Sequence, residues 1–289
     1  MKLKDFREMI NRMLFCADEH FARIKPDWED VYLEVSGGKL IMATFTVLPF
    51  YRMGLASVDL KPDNRSDDCS AYVRAAFLRE LAGNENLKSL RLGFPPSQDE
   101  WSFAEKHRHG DNEPLWFSDA GGGHVYLNIG ESALLIRRPA FYSGRGYEFT
   151  RYCHDRENYL DDIFPVSFSV DRRMLLEALN TVSVIVTKQF SCMLYADLSP
   201  GKMLMRAFDF GDSAETEIPC DYSGMETGLT FEVKLFRETI EHIETERVNI
   251  RFCMGYVDTA ILPMHSSQHR QDYFFVLSQR TKWGTDNEQ

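Results

Sequence analysis

The chain has 289 residues, of which 44% are hydrophobic and 27% charged, a composition typical of a globular protein long enough for two domains. Its formal net charge is −11 at pH 7, which argues against a protein that coats nucleic acid with its whole surface but is compatible with a local basic face. No run of about 18 apolar residues occurs, so the sequence predicts no membrane-spanning helix.

The N-terminus and the cysteines both favour a cytoplasmic protein. The opening residues, MKLKDFREMI, are charged and amphipathic and lack the apolar core of a secretory signal. The six cysteines are scattered and no two have the CxxC spacing, which favours buried, reduced thiols over disulfides or a thiolate metal site.

The first part of the chain is predicted to form a helix followed by three strands. From Leu3 to Phe21 apolar residues recur at helical spacing, and cations are expected on the opposite side of this helix. The apolar stripe consists of Phe6, Ile10, Met13, Ala17 and Phe21, and the cations are Lys4, Arg7 and Arg12. The strands are predicted over Val31–Val35, Lys39–Phe45 and Arg52–Leu60, with Gly37-Gly38 at the first turn.

A second helix is predicted from Ala71 to Leu81, followed by a strand from Leu87 to Phe94. This helix would turn Val73, Phe77 and Leu81 inward and carry Arg74 and Arg79 as outward cations.

Residues 95–123 are polar and rich in proline and glycine, and we interpret them as an inserted loop. The loop contains His107, His109, Asp111 and Glu113, with His124 just beyond it. Such side chains at close spacing could bind a metal, but they lie in a flexible segment without a second fixed pair of ligands. A solvated loop, or a loop that contacts a partner, is therefore the favoured interpretation. A β-hairpin whose strands alternate apolar and polar residues is expected to follow over residues 125–137.

The second half of the chain is predicted to begin with a linker over residues 146–163. After it, Phe168–Val170 reads as a strand that leads into a helix with Asp171 as its N-cap. That helix buries Leu175, Leu179 and Val182 and carries Arg172 and Arg173 at its start. Strands then follow around residues 191–195 and 202–208, with a turn at Ser199-Pro200-Gly201.

The last fifty residues have the clearest periodicity. A strand over Leu229–Phe231 leads into a helix whose apolar stripe is Val233, Phe236, Ile240 and Ile243. Lys234 and Arg237 are the cations of this helix. Three strands follow, over residues 248–252, 259–262 and 273–277.

The same order of strand, helix and meander thus recurs along the chain. Helices are predicted to begin near residues 5, 71, 171 and 233, with an offset within each pair of roughly 60 to 66 residues. We therefore predict an α+β fold with two domains, each built from two copies of this motif with helices on one face of antiparallel sheets. The expected bounds are 1–145 and 164–282, with a linker over 146–163 and a frayed tail over 283–289.

No familiar catalytic or cofactor-binding motif is present. GxGxxG after a strand, GxxxxGK[ST], HExxH and GxSxG are all missing, and no pair of carboxylates stands out. The sequence therefore predicts no cofactor and no metal, and it favours a binding or scaffolding role over an enzyme.

Several stretches resemble the DNA sliding clamp family. TFEVKLFRETIEHIETERVNIRF, followed by TAILPM and DYFFVLSQR, is similar to the last domain of the bacterial DNA polymerase III beta subunit. FSVDRRMLLEALNTVSVIV resembles the start of a clamp domain, and DVYLEVSGGKLIMATF and FYRMGLASVDL resemble clamp strands.

The resemblance implies a closed ring of six domains that surrounds duplex DNA, with helices lining the hole. The bacterial beta subunit has three domains and forms a dimer, so a chain with two domains would form a homotrimer. Helices that face DNA need cations, because phosphate contacts supply attraction that does not depend on sequence. The implied DNA-facing residues are Lys4, Arg7, Arg12, Arg74, Arg79, Arg172, Arg173, Lys234 and Arg237.

The resemblance also implies protein partners, namely a DNA polymerase or other clamp-binding proteins and a clamp loader. Clamps bind partner peptides in an apolar pocket, and the corresponding residues here are Tyr51, Arg52, Met53, Val276 and Leu277. The bacterial pattern ends in a segment like Met-Pro-Met-Arg, whereas this chain has Ser278-Gln279-Arg280 after Leu277. The implied setting is the cytoplasm of a bacterium, with the chain encoded by the host, a phage or a plasmid.

The function predicted from these patterns is a non-enzymatic ring that tethers a polymerase or another factor to DNA. A clamp-fold scaffold that binds only protein is the alternative, favoured by the altered C-terminal segment and by Glu238, Glu241, Glu244 and Glu246 in and after the last helix. A metal-dependent enzyme that uses the histidine-rich insertion is the third hypothesis.

Overall fold

A computed structural model describes most of the second half of the chain and a smaller part of the first half. The described residues are 3–17, 30–36, 38–46, 52–59, 69–83, 91–92, 115–118, 124–127, 156–185, 193–209, 211–254, 258–264 and 271–278. The chain divides into two compact units. The first unit consists of residues 1–46, 55–149 and 270–272, and the second of residues 47–54, 150–269 and 273–289.

The described helices and strands are distributed over both units. In chain order they are α1 (Leu3–Met13), a 3-10 helix (Leu14–Cys16), β1 (Asp30–Ser36), β2 (Lys39–Thr46), β3 (Arg52–Asp59), β4 (Cys69–Arg74), α2 (Ala75–Gly83), β5 (Arg91–Leu92), β6 (Leu115–Ser118), β7 (His124–Leu127), α3 (Arg156–Ile163), β8 (Val166–Asp171), α4 (Arg172–Ser183), β9 (Met193–Ser199), β10 (Lys202–Asp209), β11 (Asp212–Pro219), β12 (Thr227–Glu232), α5 (Val233–Glu241), β13 (Arg247–Phe252), β14 (Asp258–Pro263) and β15 (Gln271–Ser278).

The second unit contains the strand, helix and meander motif twice, as the sequence predicts. The first copy runs from β8 through α4 to β11, and the second from β12 through α5 to β15. Helix α5 begins at residue 233 and α4 at residue 172, an offset of 61 residues. In the first unit α1 begins at residue 3 and α2 at residue 75, an offset of 72 residues, so the predicted spacing is wrong there.

The two copies in the second unit exchange their first strands. Strand β8 precedes α4 but pairs with β13 of the second copy, and β12 precedes α5 but pairs with β9 of the first copy. The resulting sheets have the strand orders β15-β14-β13-β8 and β11-β10-β9-β12, and the pairs whose register is resolved are antiparallel. Neither copy can therefore complete its sheet without the other.

The core of the second unit lies between the helices and the sheets. Helix α4 buries Leu175, Ala178, Leu179 and Val182, and it packs against β10 and β11. Helix α5 buries Val233, Phe236, Thr239 and Ile240, and Ile243 is buried just beyond its end. The apolar stripes predicted for both helices are confirmed. The turn predicted at Ser199-Pro200-Gly201 is also confirmed, with φ of 81° at Gly201.

The first unit follows the same plan in its opening half. Strands β1 and β2 form an antiparallel hairpin, with Gly38 at φ 77° in its turn, and β4 pairs with the other side of β1. Helix α1 buries Phe6, Met9, Ile10 and Met13 and contacts α2. The side chains of the predicted stripe are buried up to Ala17, but the helical turns end at Cys16, and Phe21 lies outside the described residues.

Three sequence predictions need correction. Ala71–Arg74 is the end of a strand paired with β1, and the helix begins only at Ala75. The insertion is not a continuous loop, because Leu115–Ser118 forms β6 between β5 and β7 in an antiparallel sheet. The predicted linker contains helix α3, in which Leu160 is buried.

None of the described helices has the combination of length and apolar character that crossing a membrane requires.

Candidate nucleic-acid interface

Helices α4 and α5 of the second unit lie against each other and are joined through Arg172. Its backbone N–H donates to the carbonyl oxygen of Glu246 at 2.8 Å. Its side chain donates from Nε to the carbonyl oxygen of Ile240 at 3.1 Å and from Nη2 to that of Glu241 at 2.9 Å. These carbonyls are at the C-terminal end of α5, where a helix has acceptors without an intrahelical donor.

Arg172 therefore orients the helix pair. The sequence places it among the DNA-facing cations, but its guanidinium is used to cap α5. We assign Arg172 a positioning role and exclude it from the proposed DNA contacts.

Both helices begin with a carboxylate N-cap. Oδ1 of Asp171 accepts a hydrogen bond from the backbone N–H of Met174 at 2.9 Å, which confirms the predicted cap of α4. Oε2 of Glu232 accepts from the N–H of Leu235 at 2.6 Å at the start of α5. In both copies of the motif, a carboxylate side chain thus accepts a hydrogen bond from a backbone N–H group of the first helical turn, which has no acceptor within the helix.

The most exposed cations of the helix pair are Arg173 and Lys234. Their side chains are 85% and 78% exposed. Each lies 3.9 Å from a carboxylate one helical turn away, Glu177 for Arg173 and Glu238 for Lys234. Exposed pairs of this kind contribute about 0–1 kcal/mol, so either cation can exchange its glutamate for a phosphate at little cost.

Arg237 is the third cation of the pair and is held more closely. Its Nε lies 2.9 Å from Oε1 of Glu241, and its side chain is 42% exposed. The outer surface of α5 is also acidic at its end, where Glu241, Glu244 and Glu246 are exposed. Arg173 and Lys234 are consequently the better phosphate ligands.

The cations predicted for the first unit have different environments. Lys4 is exposed on α1, while Arg7 and Arg79 are half-buried. Arg79 donates to the carbonyl oxygen of Leu14 at 3.5 Å. Among the cations predicted to face DNA in the first unit, Lys4 is the most accessible of those with a described side chain.

Two first-unit predictions are corrected by the structure. Arg12 is only 4% exposed and forms an ion pair of 2.8 Å with Glu8, so it does not belong to an outer helix face. Arg74 is the last residue of β4, opposite Asp30 of β1, and does not lie on a helix.

Arg52 has a role that the sequence did not reveal. It is 7% exposed, and its Nη1 donates to Oε2 of Glu238 on α5 at 2.9 Å. Glu238 therefore lies beside both a buried cation and the exposed Lys234. Arg52 and Glu238 are separated by 186 residues in the sequence, and no local pattern signals such a contact.

The residues implied for the partner-peptide pocket are buried where they are described. Arg52, Met53, Val276 and Leu277 are 7%, 1%, 1% and 1% exposed, and Tyr51 lies outside the described residues. In this conformation the four side chains offer little surface to a peptide.

The residues of the hypothetical metal site lie mostly outside the part of the chain that the structure describes. His107, His109, Asp111 and Glu113 lie outside the described residues, and His124 is the first residue of β7. Within the described ranges no three His, Cys, Asp or Glu side chains come together as metal ligands.

Glu232 gives the second unit a specific pH dependence. Burial raises the pKa of its carboxyl group, and the capping hydrogen bonds from α5 oppose that shift. A carboxyl group whose pKa is higher in the folded than in the unfolded protein stabilises the fold fully at a pH below its unfolded pKa of about 4.3. This stabilisation is lost as the pH rises through the folded pKa. The free energy of unfolding of the wild type should therefore fall, relative to Glu232→Gln, as the pH rises above about 4.

Urea unfolding of both proteins across this pH range measures the difference. The matched control is Glu226→Gln, which removes an exposed carboxylate from the loop before the same strand. A constant difference between wild type and Glu232→Gln at every pH would contradict the prediction.

Comparison with known proteins identifies the fold. No protein-family model matches the sequence, and no curated protein matches it. Among solved structures, the chain is similar to a DNA polymerase sliding clamp from Pseudomonas aeruginosa, with 16% identity, a TM-score of 0.69 and coverage of 97% of this chain and 65% of that one. The DNA polymerase III beta subunit from Thermotoga maritima gives 16% identity, a TM-score of 0.71 and coverage of 97% and 64%.

A putative DNA polymerase III beta subunit from Eubacterium rectale gives 14% identity, a TM-score of 0.69 and coverage of 97% and 64%. The chain thus spans slightly less than two thirds of the length of these structures. The resemblance inferred from the sequence is confirmed at the level of the fold: the chain has the α+β sliding-clamp fold of DNA polymerase III beta subunits.

Proposed function

We propose that this chain is a non-enzymatic, clamp-like protein that encircles duplex DNA and tethers a DNA polymerase or another replication or repair factor. The observation that carries the proposal is the clamp fold over 97% of the chain, together with exposed cations on the helices of that fold. We place the DNA contacts at Lys4, Arg173 and Lys234, with Arg237, Arg7 and Arg79 as weaker ones. A repeated fold that presents similar helices suits a ligand such as duplex DNA, whose phosphates repeat along its axis.

A topological experiment tests encirclement. The protein is bound to linear plasmid DNA, the ends are joined by ligation, and the complex is then washed at high salt. A ring should stay linked to the ligated circle, because salt weakens phosphate contacts but cannot unlink a closed ring. It should be lost from the unligated control. Equal loss from both DNAs would contradict encirclement.

The number of chains in the ring follows from the two units per chain. A ring of six such units needs three chains, so we propose a homotrimer. Light scattering across a range of protein concentrations should then give three times the chain mass of 33.5 kDa. A particle of chain mass at every concentration would exclude a ring assembled from this chain alone.

The proposed protein partners are a DNA polymerase or other clamp-binding protein and a clamp loader. Any peptide site at Met53, Val276 and Leu277 has to open before it binds, because these side chains are buried.

A clamp-fold scaffold that binds only protein is the second candidate. It is favoured by the charge of the helix pair, because Arg173, Lys234 and Arg237 each have a glutamate beside them. This scaffold would show no DNA binding that falls steeply with salt, whereas the clamp would.

A further inference from the structure

The sheet formed by β11, β10, β9 and β12 has one face that does not carry the helices. On these strands alternate side chains point to opposite faces. The inward set is buried and includes Leu194, Ala196, Met203, Met205 and Ala207. The intervening residues form the opposite face, which we call the outer face of the second unit.

An aromatic pair lies on this outer face. Phe208 is 53% exposed, and Tyr195 on the neighbouring strand is half-buried. Their ring centroids are 5.7 Å apart at an interplanar angle of 66°, an edge-to-face contact. The sheet holds both rings in a fixed geometry, so a partner would not have to order them.

Carboxylates surround the aromatic pair in excess over cations. The outer face carries Asp197, Glu215 and Glu217 but only Lys202 and Arg206 as cations. Both cations are already bound, Lys202 to Glu217 at 2.9 Å and Arg206 to Asp197.

The remaining negative charge lies at the aromatic end of the face. Glu215 is exposed opposite Arg206. Within the described part of the chain this carboxylate has no ion-pair partner. Asp197, Glu215 and Glu217 against two cations leave these residues with a net charge of −1.

We propose that the outer face of the second unit binds a basic segment of a protein partner. A lysine or arginine side chain can lie against the rings of Phe208 and Tyr195 and pair with Glu215, combining a cation–π contact with an ion pair. An apolar side chain next to it would cover the exposed part of Phe208. Nucleic acid does not suit this surface, because its phosphates would meet the excess carboxylates.

This surface is independent of the proposed DNA contacts. It lies on the sheet, whereas Arg173 and Lys234 lie on the helices, and binding a peptide to it requires no DNA. Failure of the peptide test therefore leaves the clamp proposal as it stands, and failure of the topological test leaves the peptide site as it stands.

The test uses the full chain and a fluorescent extended peptide in which arginine and leucine alternate. Fluorescence anisotropy gives the Kd, and amide chemical shifts locate the bound peptide. The expected shifts are concentrated in β9, β10 and β11. Phe208→Thr should weaken binding about tenfold, since aromatic anchors carry much of the energy of such contacts. Glu215→Lys should weaken it severalfold, and the matched control Glu226→Lys should leave the Kd unchanged.

Several results would overturn the proposal. One is an unchanged Kd in Glu215→Lys or in a folded Phe208→Thr, and another is a set of amide chemical shift changes centred outside β9, β10 and β11. Equal binding of a peptide with glutamate in place of arginine would also overturn it, as would displacement of the peptide from this face by short duplex DNA. Thermal unfolding checks that both variants are folded. Glu215→Lys changes an exposed side chain, so it provides a readout even if the replacement of Phe208 disturbs the sheet.

Discussion

The double variant Arg173→Glu and Lys234→Glu is expected to bind short linear duplex DNA at least about tenfold more weakly than the wild type. Each reversal removes one phosphate contact and places a carboxylate where a phosphate would be. The slope of log affinity against log salt concentration should fall by about 1.8, since each contact contributes about 0.9. Retention of the protein by immobilised short duplexes with a free end, at several salt concentrations, measures both quantities.

The matched control is Lys39→Glu, a charge reversal at an exposed position in the hairpin of the first unit. It should leave retention close to that of the wild type. Arg172 is unsuitable for this experiment because its side chain caps α5, so its replacement would disturb the helices themselves. Unchanged retention in the double variant would show that the helix face of the second unit does not contact DNA.

Phe236→Ala is expected to lower the free energy of unfolding of the second unit by about 3–5 kcal/mol. Phe236 is 1% exposed, and its ring stacks on that of Phe231 with centroids 4.4 Å apart at an interplanar angle of 5°. Truncation removes this contact and leaves a cavity between α5 and the strand that precedes it. Urea unfolding followed by far-ultraviolet circular dichroism measures the loss.

The matched control for this variant is Phe208→Ala. Phe208 is 53% exposed, so the same truncation should cost less than about 1 kcal/mol. Similar losses in the two variants would contradict the packing described for α5. The comparison also separates the stability of the sheet from its proposed binding of a partner.

The fold of the second unit could be predicted from the sequence because its patterns are local. Val233, Phe236, Ile240 and Ile243 have helical spacing, and Val248, Ile250 and Phe252 alternate as in a half-buried strand. The side chains of both sets are buried in the structure. Asp171 could be predicted as an N-cap for the same reason, since a cap bonds within one turn.

The errors in the first unit have physical causes beyond the reach of local patterns. Residues 71–74 could begin a helix, but pairing with β1 makes them a strand, and tertiary contacts override propensity. Arg12 resembles a solvated helix cation, yet Glu8 one turn earlier allows its charge to be buried. Whether such a charged side chain is buried depends on which residues pack over the helix. The spacing of residues within the helix does not reveal this.

The candidate site was predicted as a list of cations, and the structure ranks them. Arg172 and Arg173 are neighbours in sequence, but one caps α5 and the other is 85% exposed. The difference depends on a helix that begins 61 residues later. Periodicity could place both residues at the start of a helix but could not assign their different roles.

The exchange of first strands between the two copies has a consequence for synthesis of the chain. Asp171 of β8 pairs with Arg247 of β13, which is translated 76 residues later. At about 5–20 residues per second, β8 leaves the ribosome roughly 4 to 15 s before the strand beside which it finally lies. During that interval Phe168 and Val170 of the nascent chain lack this partner, although both are buried in the finished fold. We expect the half-made second unit to be the form of this protein that depends most on chaperones and is most prone to aggregate.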